Sequence, residues 1–112
     1  MEMSLEHMRA TVSAMTRSGF AVTETSQALR RGNEHLYDRT RFELARGRDE
    51  DLVLECLVYP DGRETYWLEI RRLLTMRAFN FQLDSWKHRE DQVEFRFYAR
   101  PDGVALTFFL SL

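Results

Sequence analysis

The tripeptide Pro-Asp-Gly occurs twice, at 60–62 and 101–103, and each copy stands between runs in which apolar and polar residues alternate. Proline presets φ for the first central position of a turn, aspartate accepts backbone N–H groups, and glycine takes the positive φ that closes it. Each copy therefore reads as the turn of an antiparallel hairpin, and two hairpins in 112 residues commit the chain to a sheet. The alternation also sets each register, because a slip of one residue turns every side chain to the other face. Around Pro60 a three-residue loop pairs Tyr59 with Arg63 and gathers Leu52, Leu54, Cys56, Val58, Tyr66, Leu68 and Ile70 on one face. Around Pro101 an even loop is expected, aligning Phe95 with Leu110, Phe97 with Phe108 and Ala99 with Leu106. An odd loop there would set Arg96 against Phe108, so identical tripeptides are expected to close loops of unequal length.

Elsewhere the periodicity changes. Leu5, Met8, Val12 and Met15 recur at helical spacing, with Ser4 to cap the start and Ser18-Gly19-Phe20 to end it, which predicts a helix over about 4–18. Within residues 20–33, Phe20 and Val22 could start a short strand while Ser26 to Arg31 could form a helical turn ended by Gly32-Asn33, and the pattern does not choose. From His35 to Ala45 the chain alternates again, Leu36, Thr40, Phe42 and Leu44 against Tyr37, Arg39, Arg41 and Glu43. Residues 46–50 form a polar turn, and 52–59 the next strand. Between the hairpins the pattern is ambiguous. Phe79, Phe81 and Leu83 alternate as in a strand, whereas Met76, Phe79, Leu83 and Trp86 have helical spacing, and a helix over 63–76 competes with the first hairpin. A strand over 77–83 is preferred. The expected architecture is a single α+β domain over 1–112, an amphipathic N-terminal helix packed on five or six mostly antiparallel strands. Its core is expected to hold Leu5, Met8, Val12, Met15, Leu52, Leu54, Cys56, Leu68, Ile70, Phe95, Phe97, Phe108 and Leu110.

Composition narrows the class. With 44% apolar and 30% charged residues and a net charge of -2, the chain is expected to be an ordinary folded protein. The start carries acids where a secretory leader would carry Lys or Arg, no apolar run approaches the ~20 residues a membrane helix needs, and Cys56 is the single cysteine. A reducing cytoplasm is the expected location. Of the sixteen basic residues only Lys87 is lysine, a bias that fits a GC-rich bacterial genome.

No motif names a reaction, and no cofactor is expected. His7, His35 and His88 stand far apart without ligand spacing and read as solvated surface residues; His35 and Asp38 would point to opposite faces of a strand. Cys56, flanked by Leu54 and Val58, reads as an inert core thiol. Glu55 and Glu69 are diagonal neighbours on the outer face and could share acid–base work, but nearby Arg63 and Arg71 favour plain ion pairs.

The face opposite the core is the most informative. It gathers Tyr59, Arg63, Trp67 and Arg71 from the first hairpin with Arg96, Tyr98, Arg100 and Phe109 from the second. Aromatic and arginine side chains together are enriched at protein interfaces. They also hold single-stranded nucleic acid, but Glu43, Glu55, Glu69 and Glu94 interrupt this face and the chain is acidic on balance, which favours protein over nucleic acid. The expectation is a non-enzymatic module of chaperone, adaptor, immunity or inhibitor type, binding another protein or a second copy of itself as a homodimer, without membrane association.

Overall fold

The computed structural model describes residues 3–48, 50–72, 77–99 and 103–112. Helix α1 (Leu5–Arg17) is followed by strands β1 (Ala21–Arg31), β2 (Glu34–Arg46), β3 (Glu50–Val58), β4 (Glu64–Arg72), β5 (Arg77–His88), β6 (Gln92–Ala99) and β7 (Val104–Ser111). The strands form one antiparallel meander in sequence order, with α1 packed on one face, hereafter the inner face. The fold is α+β as expected, but with seven strands rather than five or six.

Local chemistry explains the ends of α1. Ser4 Oγ accepts the His7 N–H at 3.0 Å, a cap of the kind that contributes about 1 kcal/mol. At the other end Gly19 takes φ +97°, which lets its own N–H and that of Phe20 reach the carbonyls of Thr16 and Met15. Phe20 then turns back into the core.

The first hairpin has the expected register. Tyr59 and Arg63 close a three-residue loop, and Cys56 faces Tyr66, Leu54 faces Leu68 and Leu52 faces Ile70. Asp61 Oδ1 accepts the Arg63 N–H at 3.0 Å, and Gly62 takes φ +87°. The competing helix over 63–76 is excluded as far as Arg72; residues 73–76 lie outside the described residues. The second loop is even, as expected, because residues 100–103 separate the Ala99–Val104 pair. Its register nevertheless lies two residues from the expected one, with Phe95 opposite Phe108 and Phe97 opposite Leu106. Both registers keep the same residues inside, so alternation alone could not separate them.

The ambiguous segment is a strand with a bulge. Leu83 faces Phe97 and the next ordered pair is Ser85–Arg96, so Asp84 has no opposite number. One extra residue reverses the alternation. Phe79, Phe81 and Leu83 point inward before it, Trp86 and His88 after it, and the strand therefore runs to His88 rather than ending at 83. The helical spacing of 79, 83 and 86 is this bulged strand seen in one dimension. A second irregularity, between Leu29 and Arg30 against β2, leaves Leu36 unpaired. It brings His35 and Asp38 to one side, where His35 Nε2 lies 3.0 Å from Asp38 Oδ1, contrary to the strand expectation.

Residues 21–31, left open by the sequence, form β1, an edge strand exposed on both faces over nearly its whole length. Its inward positions Val22, Glu24, Ser26 and Ala28 carry no apolar alternation because little of α1 covers them; Glu24 instead forms an ion pair with Arg9 of the helix. The core contains most of the expected residues and adds Phe20, Phe42, Leu44, Tyr66, Leu83, Trp86 and Val93, while Leu5, Ile70 and Phe108 are only partly buried at its rim. The sheet is strongly curled. Arg46, at the end of β2, donates to the carbonyl of Ser111 on β7 at 2.7 Å while stacking over Phe20 at 4.4 Å. In a flat meander β2 and β7 stand five strand positions apart, so twist and coiling bring these ends together.

Candidate protein-interaction surface

The expected outer-face residues separate into two groups with different surroundings. In the first, β2, β3 and β4 place Arg41, Glu43, Glu55, Glu69 and Arg71 side by side. Arg41 binds Glu55 at 2.5 Å and Glu43 at 3.2 Å and reaches Glu69 at 3.8 Å; Arg71 lies 3.5 Å from Glu69 and 3.9 Å from Asp51. Burial works against the Arg41 charge, but hydrogen bonds to Glu55 and Glu43 outweigh it and hold its pKa above the ordinary arginine value. Val53, which strand alternation sets on this outer face, is fully buried between Glu43 and Glu69. The ion network thus covers a small apolar floor. Arg41 carries it rather than Arg63, because register brings β2 against β3 on that face while Arg63 lies beyond the strand.

Aromatic residues at this end are also occupied internally. The Arg63 guanidinium sits 4.4 Å above the Tyr59 ring, Tyr59 packs on Tyr37 at 5.8 Å between centroids, and half-buried Trp67 donates its indole N–H to Thr65 Oγ1 at 3.1 Å. Tyr59, Arg63, Trp67 and Arg71 are therefore tied to their own sheet.

The second group is different. Tyr98 and Phe109 are 54% and 58% exposed on the outer face of β6 and β7, with exposed Arg96 on the same face of β6 beside Thr107. Arg100 lies outside the described residues. On the inner face of the same end, beyond the reach of α1, Phe79, Val104 and Leu106 are also exposed. Sequence reasoning placed Leu106 opposite Ala99 and marked this end on its outer face only, since the inner residues are the ordinary inward alternation. Only the length of α1 decides that they stay uncovered.

Cys56 is buried, and burial, followed by the charge of Glu64, pushes its thiol up to about 11. The phenol of Tyr66 is also held above its ordinary range, by burial and then by its hydrogen bond to Glu64; it lies 3.2 Å from the Met3 carbonyl as well.

The histidine expectation is corrected. His7, on the buried side of α1, is stacked on Trp86 at 4.7 Å and lies 5.8 Å from the ring of His88. Its Nε2–H donates to the Trp86 carbonyl at 3.0 Å, and its buried Nδ1 has no hydrogen-bond partner among the described residues. Thr11 Oγ1 accepts the Trp86 indole N–H at 3.0 Å and lies 2.9 Å from His88 Nδ1. Burial, the neighbouring His7 and Arg17 lower the pKa of His88. His7 and His88 are 81 positions apart in sequence, and the parity reversal at Asp84 is what turns Trp86 and His88 toward the helix. This cluster fastens α1 to β5. Beside it an open cleft of about 400 Å³ is lined by Arg17, His88, Arg89, Glu90 and Leu112. Among the described residues no group of three or more His, Cys, Asp or Glu could hold a metal ion, and no helix is long and apolar enough to cross a membrane.

No protein-family model, curated protein or solved structure matches the chain.

Proposed function

We propose that the chain is a non-enzymatic protein-binding module, of chaperone, adaptor, immunity or inhibitor type, that engages its partner through the β6–β7 end of the sheet. The observation that carries this reading is the exposure of Tyr98 and Phe109, 54% and 58%, beside an exposed Arg96. Rigid aromatics with an arginine among them supply contact area and directed hydrogen bonds at low entropic cost, the combination found at interface hot spots. Glu55 and Glu69, the pair open to an acid–base reading, spend their oxygens on Arg41 and Arg71, which supports a structural role for them.

A photo-crosslinking side chain placed at position 98 or 109, against a control at Thr23 on the outer face of β1, tests the proposal in an extract of the native host. Polypeptide adducts are expected from 98 and 109 and not from 23. Equal adducts from all three positions, or none, would overturn it. Salt-sensitive retention of single-stranded oligonucleotides would replace it with nucleic-acid binding.

A further inference from the structure

We propose that the cleft between the end of α1 and the β5–β6 turn binds the phosphate group of a small phosphomonoester, held between Arg17 and Arg89. The inference goes beyond the protein-binding reading above and does not rest on it.

Three parts of the chain meet in this cleft. Arg17 is the last residue of α1, His88 the last of β5, and Arg89 and Glu90 open the turn to β6. Main-chain bonds hold the turn on both sides. The Arg89 N–H donates to the Gln92 carbonyl at 2.8 Å, and the Leu112 N–H, just past β7, donates to the Asp91 carbonyl at 2.9 Å. The walls are therefore fixed backbone, and a volume of about 400 Å³ falls in the roughly 300–1,000 Å³ range of small-molecule sites.

The cations of the cleft lack the partners found elsewhere in the chain. Arg9, Arg41 and Arg71 each reach a carboxylate, whereas Arg17 and Arg89 form no ion pair among the described residues, although Glu90 lines the same cleft. The end of the helix does not occupy them either. Its Met15, Thr16 and Ser18 carbonyls accept from the N–H groups of Ser18, Gly19 and Phe20 and from the Arg46 guanidinium. His88 spends Nδ1 on Thr11, so Nε2 is the ring nitrogen it has left for the cleft. Arg17 lies close enough to that ring for its charge to lower the His88 pKa. An anion seated among the three groups relieves this repulsion.

Donor geometry selects the kind of anion. A guanidinium presents a planar fork to two oxygens, so a carboxylate is used up by one arginine, whereas a tetrahedral phosphate offers oxygens to both and to His88. Ala14 and Leu112 add an apolar wall, which suits the organic part of an ester rather than the free ion. Glu90 works against any anion, so its removal should tighten the site.

The experiment titrates the full-length chain at pH 7 and fixed ionic strength with phenyl phosphate, inorganic phosphate and benzoate, following the histidine ring protons by NMR. Phenyl phosphate is expected to bind saturably and to shift His88 while leaving His35 on β2 unmoved. Inorganic phosphate should bind more weakly, and benzoate at least roughly tenfold more weakly. Arg17→Gln and Arg89→Gln should each raise the dissociation constant for phenyl phosphate roughly fivefold or more, and Glu90→Gln should lower it. Arg31→Gln, at the end of β1, should leave it unchanged, and urea unfolding of each variant verifies its fold. No saturable shift of His88, or equal weakening by Arg31→Gln, would overturn the site. Benzoate as tight as phenyl phosphate would overturn the choice of phosphate, and inorganic phosphate as tight as phenyl phosphate would overturn the ester.

Discussion

Cys56 lies between Leu54 and Val58 on the inner face of β3, and burial lifts its thiol to about 11. The thiolate is the reactive form, so the folded protein should resist maleimide at pH 8 and label only at the rate at which it unfolds. Fast labelling without denaturant would show that the inner face opens. This residue's role was legible from its neighbours in sequence, as was the pairing of Tyr59 with Arg63. The roles of Trp67 and Tyr98 were not, because alternation places both outward and says nothing of what surrounds them. Trp67 is half-buried and hydrogen-bonded to Thr65, whereas Tyr98 is exposed. Trp67→Ala is expected to cost about 1–2 kcal/mol in denaturant unfolding, and Tyr98→Ala less than about 0.5 kcal/mol. Equal costs would show that the two belong to one kind of surface.

At the scale of the element, the bulge at Asp84 decides whether Trp86 and His88 face the helix. Deleting Asp84 restores simple alternation and turns both outward, removing a buried indole, its hydrogen bond to Thr11 and the stack on His7 together. Loss of cooperative unfolding, or a drop of about 4 kcal/mol or more, is expected from urea titration of the deletion. Asp84→Ala, which keeps the extra residue, should stay within about 0.5 kcal/mol of the parent. If the deletion were tolerated as well as the substitution, the bulge would have no part in holding α1. Bulges escape sequence reading because the two periodicities they splice together mimic a helix. The hairpin at Pro60 did not escape, since proline, aspartate and glycine act locally and the flanking runs permit one register alone.

At the scale of the whole molecule, the contact between α1 and β5 makes stability depend on pH. Burial, His7 and Arg17 lower the pKa of His88 below the 6.5 of an unfolded chain. Above 6.5 both states are neutral there and stability is flat in this group. As pH falls through 6.5 toward the folded value, the unfolded chain takes up the proton first, so stability declines. The urea midpoint should therefore fall between pH 7 and pH 5, and His88→Gln should flatten that part of the profile. An unchanged slope in the variant would assign the decline to other groups. The sequence by itself determined the capped helix, the antiparallel hairpins, the face that holds the core and the inertness of Cys56, because turn chemistry and alternation act between residues close along the chain. Tertiary structure decided the rest: that β1 forms although its pattern is polar, that His7 meets His88, that Arg41 occupies the outer carboxylates, and that α1 leaves the β6–β7 end uncovered. These depend on the curl of the sheet and the finite length of one helix, which bring together residues that no local pattern connects.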